Sequence, residues 1–262
     1  MKLHPKLLIL LSVIDLILIA ILKAIGLSLW QTLLLIVIIE ILLYIVYAIL
    51  HSWRLQHILD EKCDPVDYLS RVLKQKERIK HKPKLLALIS INEAVAHMLL
   101  GDTSLAKSIL AGIDKKYLSD RNGTLLVHTI DYILCCYELG ELEEANRLYD
   151  TELPLLSPIT KKLKTAMQIL VGERYYYLGQ YEESAKHLRN IVGTQLTSLS
   201  DTRLTRRQQL GILYLLAKIE MLQGNSESAT KKLKKIAGLG NRLWIAADAE
   251  RLLHGMELEA YQ

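Results

Sequence analysis

The chain has 262 residues, with 33 Lys and Arg against 28 Asp and Glu and a formal net charge of +5. Only 13 Gly and 5 Pro occur beside abundant Leu, and few helix breakers among many helix formers argue for an all-α protein. The three cysteines, Cys63, Cys135 and Cys136, are odd in number and show no CxxC spacing, which speaks against a disulfide framework and fits a reducing compartment.

The charge is unevenly spread. Up to residue 50 the only charged residues are Lys2, Lys6, Asp15, Lys23 and Glu40; from there on the composition is that of a soluble domain with a mild basic excess. Two apolar stretches, about residues 6–25 and 29–50, each suffice for a helix across about 30 Å of hydrocarbon. Gly26-Leu27-Ser28 links them, so residues 1–52 read as a two-helix transmembrane hairpin. A signal peptide is the competing reading of the first stretch; Lys23, the immediate second span and the lack of a small-residue cleavage site speak against it. Lys2, Lys6, Arg54 and Lys62 flank the outer ends, with Lys23 alone near the turn. The positive-inside rule then predicts a multi-pass protein of the cell (inner) membrane with both termini cytoplasmic. Trp30 and Trp53 bracket the second span as interfacial anchors.

Two acids interrupt the spans. Counted from the turn, Asp15 and Glu40 are predicted at nearly equal depth, roughly 18–20 Å down. Each costs about 2.5–3.5 kcal/mol in the core on insertion scales. Glu40, Tyr44, Tyr47 and His51 follow helical spacing and form one polar stripe. Three readings stand: protonated carboxyls hydrogen-bonded within the hairpin or between copies, carboxyls meeting a basic or polar group of a partner's membrane helix, and a proton or ion relay.

Residues 53–83 read as a basic juxtamembrane linker, with a helix over about Val66–Lys82. From Arg71 to Lys84 there are seven Lys/Arg, one acid and His81. Arg71, Lys74 and Arg78 are candidates for contact with anionic lipid headgroups, at about 1 kcal/mol per cation. No stacking aromatics are interleaved, which speaks against nucleic acid.

Residues 84–262 contain a repeat. The segments AVAHMLLGDTSLAKSIL, ILCCYELGELEEANRLY, GERYYYLGQYEESAKHL and AKIEMLQGNSESATKKL align on Gly101, Gly140, Gly179 and Gly224, spaced 39, 39 and 45 residues apart. Seven residues before the glycine stand Ala94, Ile133, Gly172 and Ala217; five after it, Ala106, Ala145, Ser184 and Ala229; nine after it, Leu110, Tyr149, Leu188 and Leu233. This spacing predicts a helix ended by a positive-φ glycine, then a second helix crossing the first where small residues allow close approach. One pair cannot bury its apolar face alone, so the pairs must stack. Pro154 and Pro158 fall in one link between units, and residues 193–205 in another; a last helix from Arg242 to about Leu258 reads as a cap.

The pattern resembles the tetratricopeptide repeat family over roughly residues 84–237, most clearly in LGELEEA and LGQYEES. The family's opening Trp is missing, with Thr129 and Gln168 at that place, and the units are longer than usual. The resemblance implies an α-solenoid of about four helix pairs, and a groove that takes a peptide or helix of a protein partner. Carried over by position, the groove residues are Met98, Tyr137, Glu173, Tyr176, Tyr214, Lys218 and Met221, with Ile91, Ile130 and Ile169 where some members place a carboxylate-clamp lysine. That ligand class is therefore not expected.

No catalytic, metal or cofactor motif occurs: no HExxH, no zinc-type Cys/His spacing, no nucleophile elbow and no phosphate loop. His97 and His128 read as partly buried packing residues. The chain is therefore expected to be a membrane-anchored scaffold or adaptor without enzymatic activity or cofactor, and possible self-association through the hairpin is open. The alternative is an accessory subunit of a membrane transport or envelope-synthesis complex, held by its hairpin.

Overall fold

The structure is a computed structural model that describes residues 26, 28–197 and 204–260; the expected first span and Asp15 lie outside the described residues. Every regular element in the described residues is a helix. Contacts divide the chain into two compact units, Met1–Gln56 and His57–Gln262.

The first unit contributes most of α1 (Leu29–Asp60). With a mean hydropathy of 3.0 in its most apolar stretch, α1 is long and apolar enough to cross a membrane, and its side chains, among them Leu34, Ile41 and Ile49, are largely exposed. Glu40, Tyr44 and Tyr47 are exposed as well. Nothing breaks the helix near residue 52, the boundary expected from composition; α1 runs on to Asp60, and its last four residues belong to the second unit.

The second unit begins at a sharp turn. Cys63 sits at φ +53, fully buried, and Asp64 caps α2 (Pro65–Ile79) by accepting a hydrogen bond from the Asp67 backbone at 3.0 Å. Pro65 at the first turn needs no hydrogen-bond partner there. Then follow α3 (Pro83–Leu100) and α4 (Thr103–Ala111), α5 (Thr124–Glu138) and α6 (Leu142–Thr151), α7 (Lys161–Tyr177) and α8 (Tyr181–Thr197), α9 (Arg206–Leu222) and α10 (Ser226–Leu239), and finally α11 (Trp244–Ala260). Although α3 also passes the length and hydropathy test for a membrane span, it is a core helix of this unit, packed between α2, α4 and α5.

All four pairs turn in the same way. Gly101, Gly140, Gly179 and Gly224 have φ of +89, +77, +73 and +75. At each, the glycine N–H donates to the carbonyl three residues back, and the next N–H donates to the carbonyl five back: Met98 and His97, Tyr137 and Cys136, Tyr176 and Tyr175, Met221 and Glu220. These are Schellman turns, which need the left-handed conformation that glycine adopts without strain. The small residues lie at the helix crossings. Ala94, Ala106, Ala145, Ser184, Ala217 and Ala229 are fully buried. A Cβ on Gly172 would stand 2.5 Å from Leu188 Cδ2, and Ser184 Oγ donates to the Gly172 carbonyl at 2.8 Å.

Helices α3, α5, α7 and α9 lie in one row, each touching the next. The row comes back on itself: α11 packs on α9 and α10 and also reaches α3, where Trp244 Cβ lies 3.3 Å from a Cβ built on Gly101. The turn at Cys63 joins this closure. Its core neighbours are Leu210, Tyr214, Leu233, Ile236, Leu243 and Ala249. The Asn241 side chain donates to the Lys62 carbonyl at 2.9 Å, and the Arg242 N–H to the Cys63 carbonyl at 3.3 Å.

Three further boundaries differ from expectation. The basic helix α2 ends at Ile79, short of Lys82, and packs against α3 as part of the second unit. Helix α8 continues through Gly193 to Thr197, because the mid-helix glycine costs only about 1 kcal/mol while Leu188 and Ile191 stay buried. The last helix begins at Trp244, since Asn241 at φ +49 still belongs to the turn.

Candidate functional site

A band of polar groups is drawn from α5, α7 and α9 of the row together with the end of α1. At one end is Asp60, only 8% exposed. Lys162 Nζ at the start of α7 lies 2.8 Å from Asp60 Oδ2, and Arg207 Nε at the start of α9 lies 3.0 Å from Oδ1. Burial alone would raise this carboxyl; the two cations outweigh it and hold its pKa below the ordinary value. Tyr68 of α2 is buried beside this group, and burial pushes its phenol pKa well up.

Farther along α5 stands Asp131. The residue as a whole keeps some surface, but its Oδ2 is shielded from solvent and accepts no hydrogen bond. Burial pushes its pKa up to about 7, with Arg207 opposing. Glu173 of α7 is pushed up to about 8, first by burial and then by the neighbouring Glu138 and Asp131, again with Arg207 opposing. Glu138, two turns beyond Asp131 on the same face of α5, is an exposed residue whose carboxyl is nonetheless raised by partial desolvation; it accepts a 2.6 Å hydrogen bond from Thr103 Oγ1 and feels Lys218.

The far end of the band is aromatic. Lys218 Nζ lies 5.6 Å from the centre of the Tyr176 ring and 5.5 Å from that of Tyr214, a cation held over two π-faces. The Tyr214 hydroxyl donates to Asp248 Oδ2 at 2.5 Å, and Asp248 is paired with Arg251. Tyr176 meets Tyr177 edge-on at 5.3 Å between centroids.

Of the groove residues expected from the sequence, Glu173, Tyr176, Tyr214 and Lys218 come together in this band. Tyr137 does not: its ring is 1% exposed, stacks on Tyr177 at 5.3 Å and donates through its hydroxyl to Asn146, so it packs between pairs. Met98 packs in the core of α3 and α4, and Met221 against that of α9–α11. Sequence reasoning missed Asp60, Asp131, Glu138 and Arg207. A signal existed for two of them, since Asp131 and Glu138 are seven residues apart on one otherwise apolar helix. For Asp60 and Arg207, 147 residues apart, there was none.

A recess of about 210 Å³ lies between the first two pairs and is bordered by Ile113, Lys115, His128, Tyr132, Arg147 and Glu152. Its charges neutralise each other, Lys115 pairing with Glu152 at 2.7 Å and Arg147 with Glu144 at 2.7 Å. His128 is 3% exposed; its Nε2 meets the Leu110 carbonyl at 3.0 Å and burial lowers its pKa, as befits a packing histidine. The basic helix α2 exposes Arg71, Lys74 and Arg78; Arg71 pairs with Asp67 at 3.0 Å, and Lys76 reaches Glu93 of α3 at 2.5 Å.

All three cysteines are free and buried. Burial pushes the Cys63 and Cys136 thiols up to about 11 and Cys135 higher still, so they are protonated near neutral pH. Among the described residues no group of His, Cys, Asp or Glu is arranged to hold a metal ion. No protein-family model, curated protein or solved structure matches this chain.

Proposed function

We propose that the protein is a membrane-anchored scaffold whose tetratricopeptide-like helix pairs hold a protein partner. The observation that carries this reading is the convergence of Glu173 and Tyr176 of α7 with Tyr214 and Lys218 of α9 on one polar and aromatic band. Tyrosines and a lysine so placed suit a peptide or helix of another protein. The four Schellman turns at equivalent glycines support the repeat reading. The exposed apolar length of α1 supports the anchor, and the flanking cations favour a cell-membrane protein with both termini on the cytoplasmic side. The exposed cations Arg71, Lys74 and Arg78 then suit anionic headgroups, and the hairpin is the surface for any self-association.

The test is crosslinking of the full chain in its native membrane, with wild type compared with Tyr176→Ala/Lys218→Ala and with Glu40→Leu. Loss of the partner in the first variant supports the scaffold. Retention there with loss in Glu40→Leu sinks it and favours an accessory subunit held through its membrane helices, a reading supported by the exposed Glu40, Tyr44 and Tyr47 on α1.

A further inference from the structure

The recess between the first two helix pairs has an exposed rim and a buried floor. Lys115 and Arg147 stand exposed at its mouth, while Leu110, His128, Thr129 and Leu148 are each at most 5% exposed. Two polar atoms of that floor, His128 Nδ1 and Thr129 Oγ1, have no hydrogen-bond partner among the described residues. The His128 tautomer is set by its other nitrogen. Nε2 meets the Leu110 carbonyl at 3.0 Å, and a carbonyl only accepts, so Nε2 carries the hydrogen. Burial disfavours the imidazolium, which leaves Nδ1 with a bare lone pair. The neighbouring Thr129 hydroxyl has a hydrogen to give. Leaving both unpaired is costly, and native proteins do so rarely. The recess, about 210 Å³, is far larger than one water needs, about 10–15 Å³. At the rim Lys115 is matched by Glu152 at 2.7 Å, and Arg147 by Glu144 at 2.7 and 2.8 Å, so a charged ligand finds no free counterion there. A carboxylate has no hydrogen for Nδ1, and an ammonium has no acceptor for the Thr129 hydroxyl. A primary carboxamide is neutral and has both, on neighbouring atoms. Leu110, Ile113 and Leu148 give an apolar wall for a short stem, and Tyr132, stacked with His128 at 6.2 Å between centroids, adds a flat face.

We propose that His128 Nδ1 and Thr129 Oγ1 form the floor of a binding site for a primary carboxamide. The amide N–H donates to Nδ1, its carbonyl accepts from the Thr129 hydroxyl, and the aliphatic stem lies along Leu110, Ile113 and Leu148. The ligand is the side chain of an asparagine or glutamine in a protein segment, or a small free amide. The site shares no residue with the band at Tyr176 and Lys218, so it goes beyond the scaffold reading and stands or falls separately.

The experiment uses the full chain in nanodiscs, with empty nanodiscs subtracted, and saturation-transfer NMR of three probes of similar shape: isobutyramide, isobutyrate and isobutylammonium. Saturable binding of isobutyramide, about fivefold or more tighter than either charged probe, is expected. Thr129→Val keeps the shape and removes the hydroxyl. It should melt no lower than wild type, since an unpaired hydroxyl adds nothing to the fold, and should bind isobutyramide about threefold or more weakly. Thr129→Val/His128→Phe should lose the preference altogether; where that variant does not fold, Thr129→Val decides alone. Equal signals from all three probes, no saturable signal at millimolar concentration, or unchanged isobutyramide binding in Thr129→Val overturns the proposal and leaves the floor to water. Acetyl-glutamine methylamide, run against acetyl-norvaline methylamide, separates the two sources. A preference for the glutamine compound supports a protein side chain as the ligand; binding of isobutyramide without that preference supports a free amide.

Discussion

Asp60 and Arg207 are 147 residues apart in the chain and 3.0 Å apart in space. With Lys162 they tie the end of α1 to the starts of α7 and α9, across two separate helix pairs. Three segments far apart in the chain thus meet at one buried carboxylate within the second unit.

Removing one member of a buried ion pair leaves its partners uncompensated. Asp60→Asn is expected to cost about 3 kcal/mol in urea unfolding of the second unit, near the low end for such losses because Lys162 is half exposed. The folded-state pKa of Asp60 is depressed, so its contribution is present above the unfolded value near 4 and is lost as pH falls through the folded value. Wild type should lose stability in that acidic window, and Asp60→Asn should not show this loss.

Asp131 and Glu173 have the opposite sign. Their folded pKa values, about 7 and about 8, lie above the unfolded ones, so their stabilising contribution is full in acid and is lost as pH rises through these values. The melting temperature of wild type should decline between about pH 5 and pH 8. Asp131→Asn/Glu173→Gln should flatten that decline and gain on the order of a few kcal/mol at pH 8 relative to wild type. A wild-type melting temperature that does not change over this range contradicts the assignment.

Two glycine substitutions separate close packing from backbone conformation. Gly172→Ala places a Cβ 2.5 Å from Leu188 Cδ2 and is expected to cost about 1–3 kcal/mol by overpacking. Gly140→Ala meets nothing within 4 Å but must hold φ +77, and should cost about 1–2 kcal/mol through the backbone alone. Combining each with Leu188→Val tells them apart in chemical denaturation: relief for Gly172→Ala, none for Gly140→Ala.

The Tyr214 hydroxyl and Asp248 join α9 to α11. Tyr214→Phe leaves the ring under Lys218 and removes this bond, at an expected cost of about 1.5–3 kcal/mol for a hydrogen bond to a charged acceptor. Hydrogen exchange should show the loss as faster opening of α11, with α5 and α6 unchanged.

Much of the architecture was legible in local chemistry. A Schellman turn is decided by a few consecutive residues, so Gly101, Gly140, Gly179 and Gly224 marked four turns correctly. Helical spacing placed Ala106, Ala145, Ser184 and Ala229 at buried crossings. The groove was legible only in part. Equivalent positions predicted equal exposure for Tyr137 and Tyr176, yet Tyr137 is enclosed by Tyr177 and Asn146, and this depends on how neighbouring pairs meet.

By itself the sequence determined the helical class, the apolar stretch that α1 carries, the place of each turn and the small residues at each crossing, because hydrophobic period, breaker and cap act within one or two helical turns. Only the tertiary structure decided that the row returns on itself at Gly101 and Trp244, that the turn at Cys63 is held by Arg242, Asn241 and the α9–α11 core, and that Asp60 meets Lys162 and Arg207. These relations join residues up to 179 positions apart. They follow from the angle at which each pair packs on the next, a quantity summed over many side chains and written at no single position.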